Sequence, residues 1–121
     1  MDRKETGQTG EDLAAEYLRA RGWIILDRNW RCPSGELDIV ASQPGMAQTV
    51  VFCEVKTRRG LRFGQPVEAI TSAKMSKLRE LGLLWLRARR VQAAHLRFDG
   101  IGVLLTPSGA PRFDHRVGIG S

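Results

Sequence analysis

At 121 residues, with 42% apolar and 26% charged side chains, the chain has the composition of one folded domain spanning residues 1–121. It has no apolar run near the roughly 18 residues of a membrane span, nor the polar bias of a disordered chain. The charged start, Met1-Asp2-Arg3-Lys4-Glu5, leads into no apolar stretch of the signal-peptide kind, so a soluble, cytoplasmic protein with no membrane partner is expected. Cys32 and Cys53 lack C-x-x-C spacing and the only histidines, His95 and His115, are remote in sequence from both, which excludes a structural zinc site and a disulfide scaffold and leaves carboxylates, lysine and arginine to carry any chemistry.

Lys and Arg total 19 against 13 Asp and Glu, a net charge of +6, which favours an anionic partner such as nucleic acid. The distribution is uneven. Residues 1–55 hold 6 basic and 9 acidic side chains, residues 56–98 hold 11 and 2, and the remainder holds 2 of each. The chain is acidic first and basic afterwards.

In chain order, Thr9 reads as the cap of a first helix that Glu11 and Asp12 suit at its positive end and Gly22 closes, with Leu13, Ala14, Tyr17 and Leu18 as its apolar stripe. Trp23 to Arg31 is rich in β-branched and aromatic residues, and Pro33-Ser34-Gly35 turns it into a second strand at 36–41, making a hairpin. Pro44-Gly45 is another turn, and Thr49 to Lys56 a third strand whose apolar run implies burial on both faces up to its charged end. Residues 57–66, with three arginines, two glycines and a proline, read as a mobile basic loop. A short turn at Val67 to Ile70 precedes a long helix, about Ser72 to Arg90, and His95 to Leu105 is a fourth strand; a helix between two strands predicts a right-handed crossover to a parallel neighbour. Gly100 and Gly102 mark a close backbone approach, since no helix follows to complete a phosphate loop. The tail from Thr106 is Gly/Pro-rich and reads as partly ordered.

Side chains alternate along strands, so Glu36 and Asp38 share one face of the second strand and Leu37 and Ile39 the other, while Glu54 and Lys56 sit together on the third. If the two strands are neighbours, Asp38, Glu54 and Lys56 converge, with Glu36 nearby, where the basic loop and long helix begin. Two hard carboxylates can hold Mg²⁺ with its waters, and a lysine beside them can orient a water or neutralise charge on a phosphate. Glu-x-Lys arises by chance in roughly one of every two or three chains of such length, so the tripeptide alone decides nothing. What singles it out is its place at the end of an apolar strand, where unpaired charge is costly. On the residues alone, a metal site and a structural ion-pair cluster both remain open.

Gly35-Glu-Leu-Asp-Ile-Val-Ala41 followed by Val51-Phe-Cys-Glu-Val-Lys-Thr-Arg58 resembles the Asp and Glu-x-Lys motifs of the PD-(D/E)xK nuclease superfamily. More closely, the chain resembles the bacterial YraN-like uncharacterised family, related to archaeal Holliday junction resolvases, from Gly10-Glu-Asp-Leu-Ala-Ala-Glu-Tyr-Leu18 through Gly64-Gln-Pro-Val-Glu-Ala-Ile70, Lys74 and Arg97-Phe-Asp99. The resemblance implies a restriction-endonuclease-like αβββαβ core of the α/β class, with a mixed sheet of four or five strands. It further implies that Asp38 and Glu54 ligate Mg²⁺ or Mn²⁺, that Lys56 assists hydrolysis, that Glu11 stands near the metal, and that the protein acts as a homodimer.

Beside such a site, Arg58, Arg59, Arg62, Lys74 and Lys77 become phosphate contacts of a DNA-binding face; otherwise they are a solvated surface. Glu36 is either an outer hydrogen-bond acceptor of the site or simply exposed. Trp23, Trp30 and Trp85 read as core, and Phe63 as a base-stacking residue. The expected function is a Mg²⁺-dependent endonuclease acting on DNA, including branched DNA. Its alternatives are a non-catalytic nucleic-acid-binding module on the same fold and a basic adaptor for an acidic protein.

Overall fold

A computed structural model describes residues 2–62 and 64–119. The elements are α1 (Arg3–Ala20), β1 (Ile24–Cys32), β2 (Gly35–Ser42), β3 (Thr49–Arg58), a 3-10 turn (Pro66–Ala69), α2 (Ser72–Arg89), β4 (His95–Leu104) and β5 (Arg112–Arg116). This is the expected αβββαβ order with a fifth strand added. The sheet runs β1-β2-β3-β4-β5, antiparallel throughout except for the parallel pair β3/β4 that α2 connects. No helix among the described residues is long and apolar enough to cross a membrane.

The first helix begins earlier than Thr9. Asp2 is its cap, accepting the Glu5 N–H at 2.8 Å, while the Thr6 hydroxyl bonds the Asp2 carbonyl. Gly7 and Gly10 do not interrupt it, because packing on the sheet overrides their low helix propensity. At Gly10 the contact is so close that an added Cβ would lie 1.8 Å from Thr57 Oγ1, so α1 rests directly on the end of β3. Glu11, one position further along, is thereby buried against the sheet.

The sheet separates two cores, and alternation along β3 assigns them. Val51, Cys53 and Val55 face α1 with Ala14, Leu18, Trp23 and Ile101, whereas Val50 and Phe52 face α2 with Leu78, Leu81, Trp85 and Phe98. Trp23 and Trp85 are buried as expected; Trp30 is only half-buried, against the α2 core. Phe52 lies between the rings of Trp85 and Phe98 at 5.9 and 5.5 Å, a position where truncation to alanine costs about 3–5 kcal/mol. Gly102 allows the 3-10 turn to close on β4, since a Cβ there would stand 2.9 Å from the Val67 backbone nitrogen.

The tail read as partly ordered contains β5, whose partners on β4 run from Gly100↔Arg116 to Leu104↔Arg112. Five residues between Gly/Pro-rich flanks carry little local strand signal; what fixes them is a buried charge. Asp99, fully enclosed, receives a bidentate bond from Arg97 at 2.9 Å, His115 Nε2 at 2.8 Å and the Gly118 N–H at 3.0 Å. Burial works to raise the Asp99 pKa, but the bonds from His115, Arg97 and Gly118 outweigh it and hold the carboxyl below its ordinary value.

Candidate functional site

The site is created where the sheet forks. β2 pairs with β3 at Ala41↔Val51, Val40↔Phe52 and Ile39↔Cys53, and the pairing ends there, although β2 continues beside β1 to the Cys32↔Gly35 rung. The next rung would have set Asp38 opposite Glu54. Instead the Asp38 carboxylate accepts the Val55 N–H at 2.8 Å, supplying the bond that the ladder no longer gives. Strict alternation through β2 does not hold at this point. Leu37 and Val40 pack on the α2 side while Ile39 and Ala41 pack under α1, so Leu37 and Ile39 do not share a face. On β1, Asn29 opposite the break takes a left-handed conformation (φ 52°), one that asparagine tolerates better than most residues.

The fork collects acids from three elements. One carboxylate oxygen each from Glu11 of α1, Glu36 and Asp38 of β2 lies within 4.8 Å of the others. Glu54 of β3 stands beside this triplet rather than within it, with its carboxylate 3.5 Å from the Lys56 ammonium. The groups acting on Asp38 are other carboxylates and one backbone N–H. Burial foremost, then the charge of Glu54, pushes its pKa up to about 8 against the Val55 bond, with Glu11 and Glu36 adding to the rise. Glu11 is raised as well, by burial, which outweighs the opposing effect of Arg28; Glu36 and Asp12 add to the rise. Such a set of hard oxygen donors with surplus negative charge fits a divalent cation of the Mg²⁺ or Mn²⁺ kind.

Arg28 of β1 is a site residue that sequence reasoning missed. Its Nη2 reaches Asp12 at 2.6 Å and Glu11 at 3.4 Å, tying the first helix to the hairpin and steadying Glu11 over the fork. Only the β1/α1 packing brings these residues together; nothing in the local sequence around Arg28 signals it. Glu36 is half-exposed and pairs with Arg31 at 3.2 Å, so it combines a place in the acidic triplet with a solvent-facing ion pair.

The cations lie on both flanks. Lys74, exposed at the start of α2, has its pKa lowered first by the neighbouring Lys56 ammonium and second by burial. Lys56, paired with Glu54, and Lys74, which lines a cavity with it, put two ammonium groups beside this carboxylate, a cationic flank suited to an anion. Lys74 and Lys77 line one cavity with Glu36 and Glu54, on the α2 side; Lys77 also pairs with Glu80 at 2.8 Å. Arg58 and Arg59 line a different groove with Lys56, on the α1 side. Part of the expected mobile loop is strand, since β3 continues to Arg58; Arg59 and Arg62 are exposed beyond it. Phe63, read above as a stacking residue, lies outside the described residues.

Comparison with known proteins places this arrangement in a family. The model of the uncharacterised protein family UPF0102 matches residues 10–103, a span that includes every one of the fork's acids and both lysines. The UPF0102 protein of Renibacterium salmoninarum is 47% identical over 116 residues, 96% of each chain. That of Nocardia farcinica is 49% identical over 114 residues, 94% of this chain and 87% of its own. That of Mycolicibacterium smegmatis is 46% identical over 120 residues, 99% and 96%. With the family match spanning most of its length and relatives aligned nearly end to end, the chain belongs to the UPF0102, or YraN-like, family.

Proposed function

We propose that the protein is a metal-dependent endonuclease that hydrolyses phosphodiester bonds in DNA, with branched, Holliday-junction-like DNA as its substrate class. A cytoplasmic location and a homodimer, which supplies two sites for a symmetric junction, complete the reading. The observation that carries it is the gathering of Glu11, Glu36, Asp38 and Glu54 at the fork of β2 and β3, next to Lys56 and Lys74. Two free cysteines, Cys32 and Cys53, suit a reducing compartment.

Glu11, Glu36 and Asp38 would hold the cation, with Glu54 at its edge. A bound Mg²⁺ or Mn²⁺ supplies Lewis acidity toward a phosphoryl oxygen and a water of lowered pKa. Around it the protein's own groups do the positioning. Asp38 is fixed by the Val55 N–H, Glu11 by Arg28, and the Lys56 and Lys74 ammonium groups face the negative charge that develops on the phosphate. In the hydrolysis itself, the water oxygen forms the new P–O bond, one ester P–O bond breaks, and the proton lost by water balances the one gained by the departing oxygen.

The test is cleavage of junction, flap, single-stranded and duplex DNA by the purified protein in Mg²⁺, Mn²⁺ and EDTA. Metal-dependent cutting with a preference for the junction is the expected result. Binding without cutting in any metal would replace this reading with a non-catalytic nucleic-acid-binding module. Absence of DNA binding would favour the basic adaptor.

A further inference from the structure

A groove of about 810 Å³ opens between the first turns of α1 and the end of β3, starting at Lys56 and walled by Arg3, Thr6, Gly7, Arg58 and Arg59. Its chemistry is that of an anion channel. The acid in this wall, Asp2, is already engaged in capping the helix through the Glu5 N–H. Arg58 Nε is buried with no hydrogen-bond partner, and the Arg58 Nη1 bond to the Thr57 carbonyl is long, at 3.4 Å. With no internal acceptor at Nε and only the long bond at Nη1, the guanidinium is not committed to a protein partner, and phosphate matches the planar donor fork of arginine. Gly7 keeps the wall low, since a Cβ there would meet nothing within 4 Å.

We infer that this groove is the track of an unpaired nucleic-acid strand, carrying the phosphates on one side of the bond held at the fork. Lys56 is the junction between track and fork, because it lines the groove and pairs with Glu54. A cavity of about 810 Å³ next to the fork matches a few phosphates of one strand, and the duplex arm of the experiment below separates that occupant from a duplex backbone. The identity of the ligand rests on the nuclease reading, while the groove's affinity for a polyanion does not. The track supplies a reason for a preference for branched substrates, in which a strand leaves its partner next to the point of cleavage.

The experiment is fluorescence anisotropy of a short labelled oligothymidylate, and of a duplex of equal length, titrated with protein in EDTA so that no cutting intervenes. Gly7→Trp fills the groove from a position where the fold has open space, and Gly7→Ala controls for the helix. The expected result is single-strand affinity about tenfold weaker in Gly7→Trp, the scale of losing one or two phosphate contacts, with Gly7→Ala and the duplex unchanged. Arg59→Glu should weaken the single strand too and reduce its salt slope by about one. Thermal melting of each variant shows whether it is folded, and Arg59→Glu keeps the test valid should Gly7→Trp fail. Equal single-strand affinity in wild type, Gly7→Trp and Arg59→Glu overturns the inference, as does an equal loss for the duplex, which would put a duplex backbone in the groove. Absence of cleavage in Mg²⁺ with the Gly7→Trp effect intact would sink the nuclease reading alone.

Discussion

The Asp38 carboxylate accepts the Val55 N–H at 2.8 Å just beyond Ile39↔Cys53, the last rung that β2 and β3 share. One oxygen of Asp38 is therefore part of the sheet's hydrogen bonding while the residue also belongs to the acidic triplet. Asparagine keeps the acceptor and removes the charge. Alanine leaves the Val55 N–H without its partner, at about 1–3 kcal/mol. Asp38→Asn is accordingly the substitution that separates the chemistry of the fork from its construction.

The first prediction is that the metal-free protein loses stability toward alkaline pH and that Asp38 is a principal cause. Its pKa rises from 3.8 to about 8 on folding, so between these values the folded chain binds more protons than the unfolded one. The contribution is fully present below the unfolded value and disappears as pH rises through about 8. In EDTA, Tm should fall between about pH 5 and pH 8.5, and Asp38→Asn should flatten that fall by raising Tm at the alkaline end. Mg²⁺ should raise Tm of the wild type more at pH 8.5 than at pH 5, since it binds the ionised site. A Tm profile that Asp38→Asn leaves unchanged would remove Asp38 as the cause.

Asp99 acts with the opposite sign. Its carboxyl titrates below the ordinary value because the bonds from His115, Arg97 and Gly118 outweigh the effect of burial, so its contribution is present above the unfolded pKa and lost as pH falls through the folded one. Asp99→Asn leaves the guanidinium of Arg97, only 16% exposed, without its counter-charge, and should cost about 3–5 kcal/mol. Urea denaturation at neutral pH checks the magnitude. The variant should also lose part of the acid limb of the wild-type stability profile; an intact limb would show that Asp99 does not set it.

Much of this architecture was legible because it repeats local patterns. The Pro33-Ser34-Gly35 turn, the apolar run of β3 and the helix between β3 and β4 each carry their own signal, and together they specify the antiparallel meander and the parallel pair. Alternation also pointed to Asp38, Glu54 and Lys56 on neighbouring strands. What stayed hidden depends on tertiary packing. The break in alternation that sends Leu37 to the α2 core has no local signal, and neither does Glu54 standing outside the triplet of Glu11, Glu36 and Asp38. Arg28 meets Glu11 only across the α1/β1 interface, and β5 is pinned by Asp99 rather than by strand propensity.

Gly10 offers a test of how the first helix positions Glu11. A Cβ at Gly10 would fall 1.8 Å from Thr57 Oγ1 and 2.7 Å from Thr57 Cβ, so Gly10→Ala must lift α1 from β3 despite the better helix propensity of alanine. A loss of about 1–3 kcal/mol is expected, as for other overpacked contacts, together with weaker Mn²⁺ binding because Glu11 moves away from the fork. Thr57→Ala removes two of the three clashing atoms, so Gly10→Ala should cost less in that background. Additive effects in the double-mutant cycle would refute the steric explanation.

The remaining prediction concerns DNA affinity and sets Asp38 against Lys56. On the proposed reading a phosphate sits beside Glu11, Glu36, Asp38 and Glu54, and above about pH 8, where Asp38 is ionised, their repulsion opposes metal-free binding. Measured at about pH 9, above the Asp38 pKa of about 8, Asp38→Asn withdraws one of these charges while keeping the Val55 bond, so DNA binding in EDTA should be equal or tighter. Lys56→Ala removes a cation and also uncovers the Glu54 carboxylate that it pairs at 3.5 Å, so binding should weaken. Each change is on the order of 1 kcal/mol for unit charges about 4 Å apart in water, a several-fold shift in Kd. In Mg²⁺ the order should reverse for Asp38→Asn, which can no longer recruit the cation that attracts the phosphate, and both variants should lose cleavage by orders of magnitude. Unfolding cannot imitate this pattern, because it would lower binding in both variants under both conditions. Shifts in the same direction for the two variants in EDTA would mean that the phosphate does not sit at the fork.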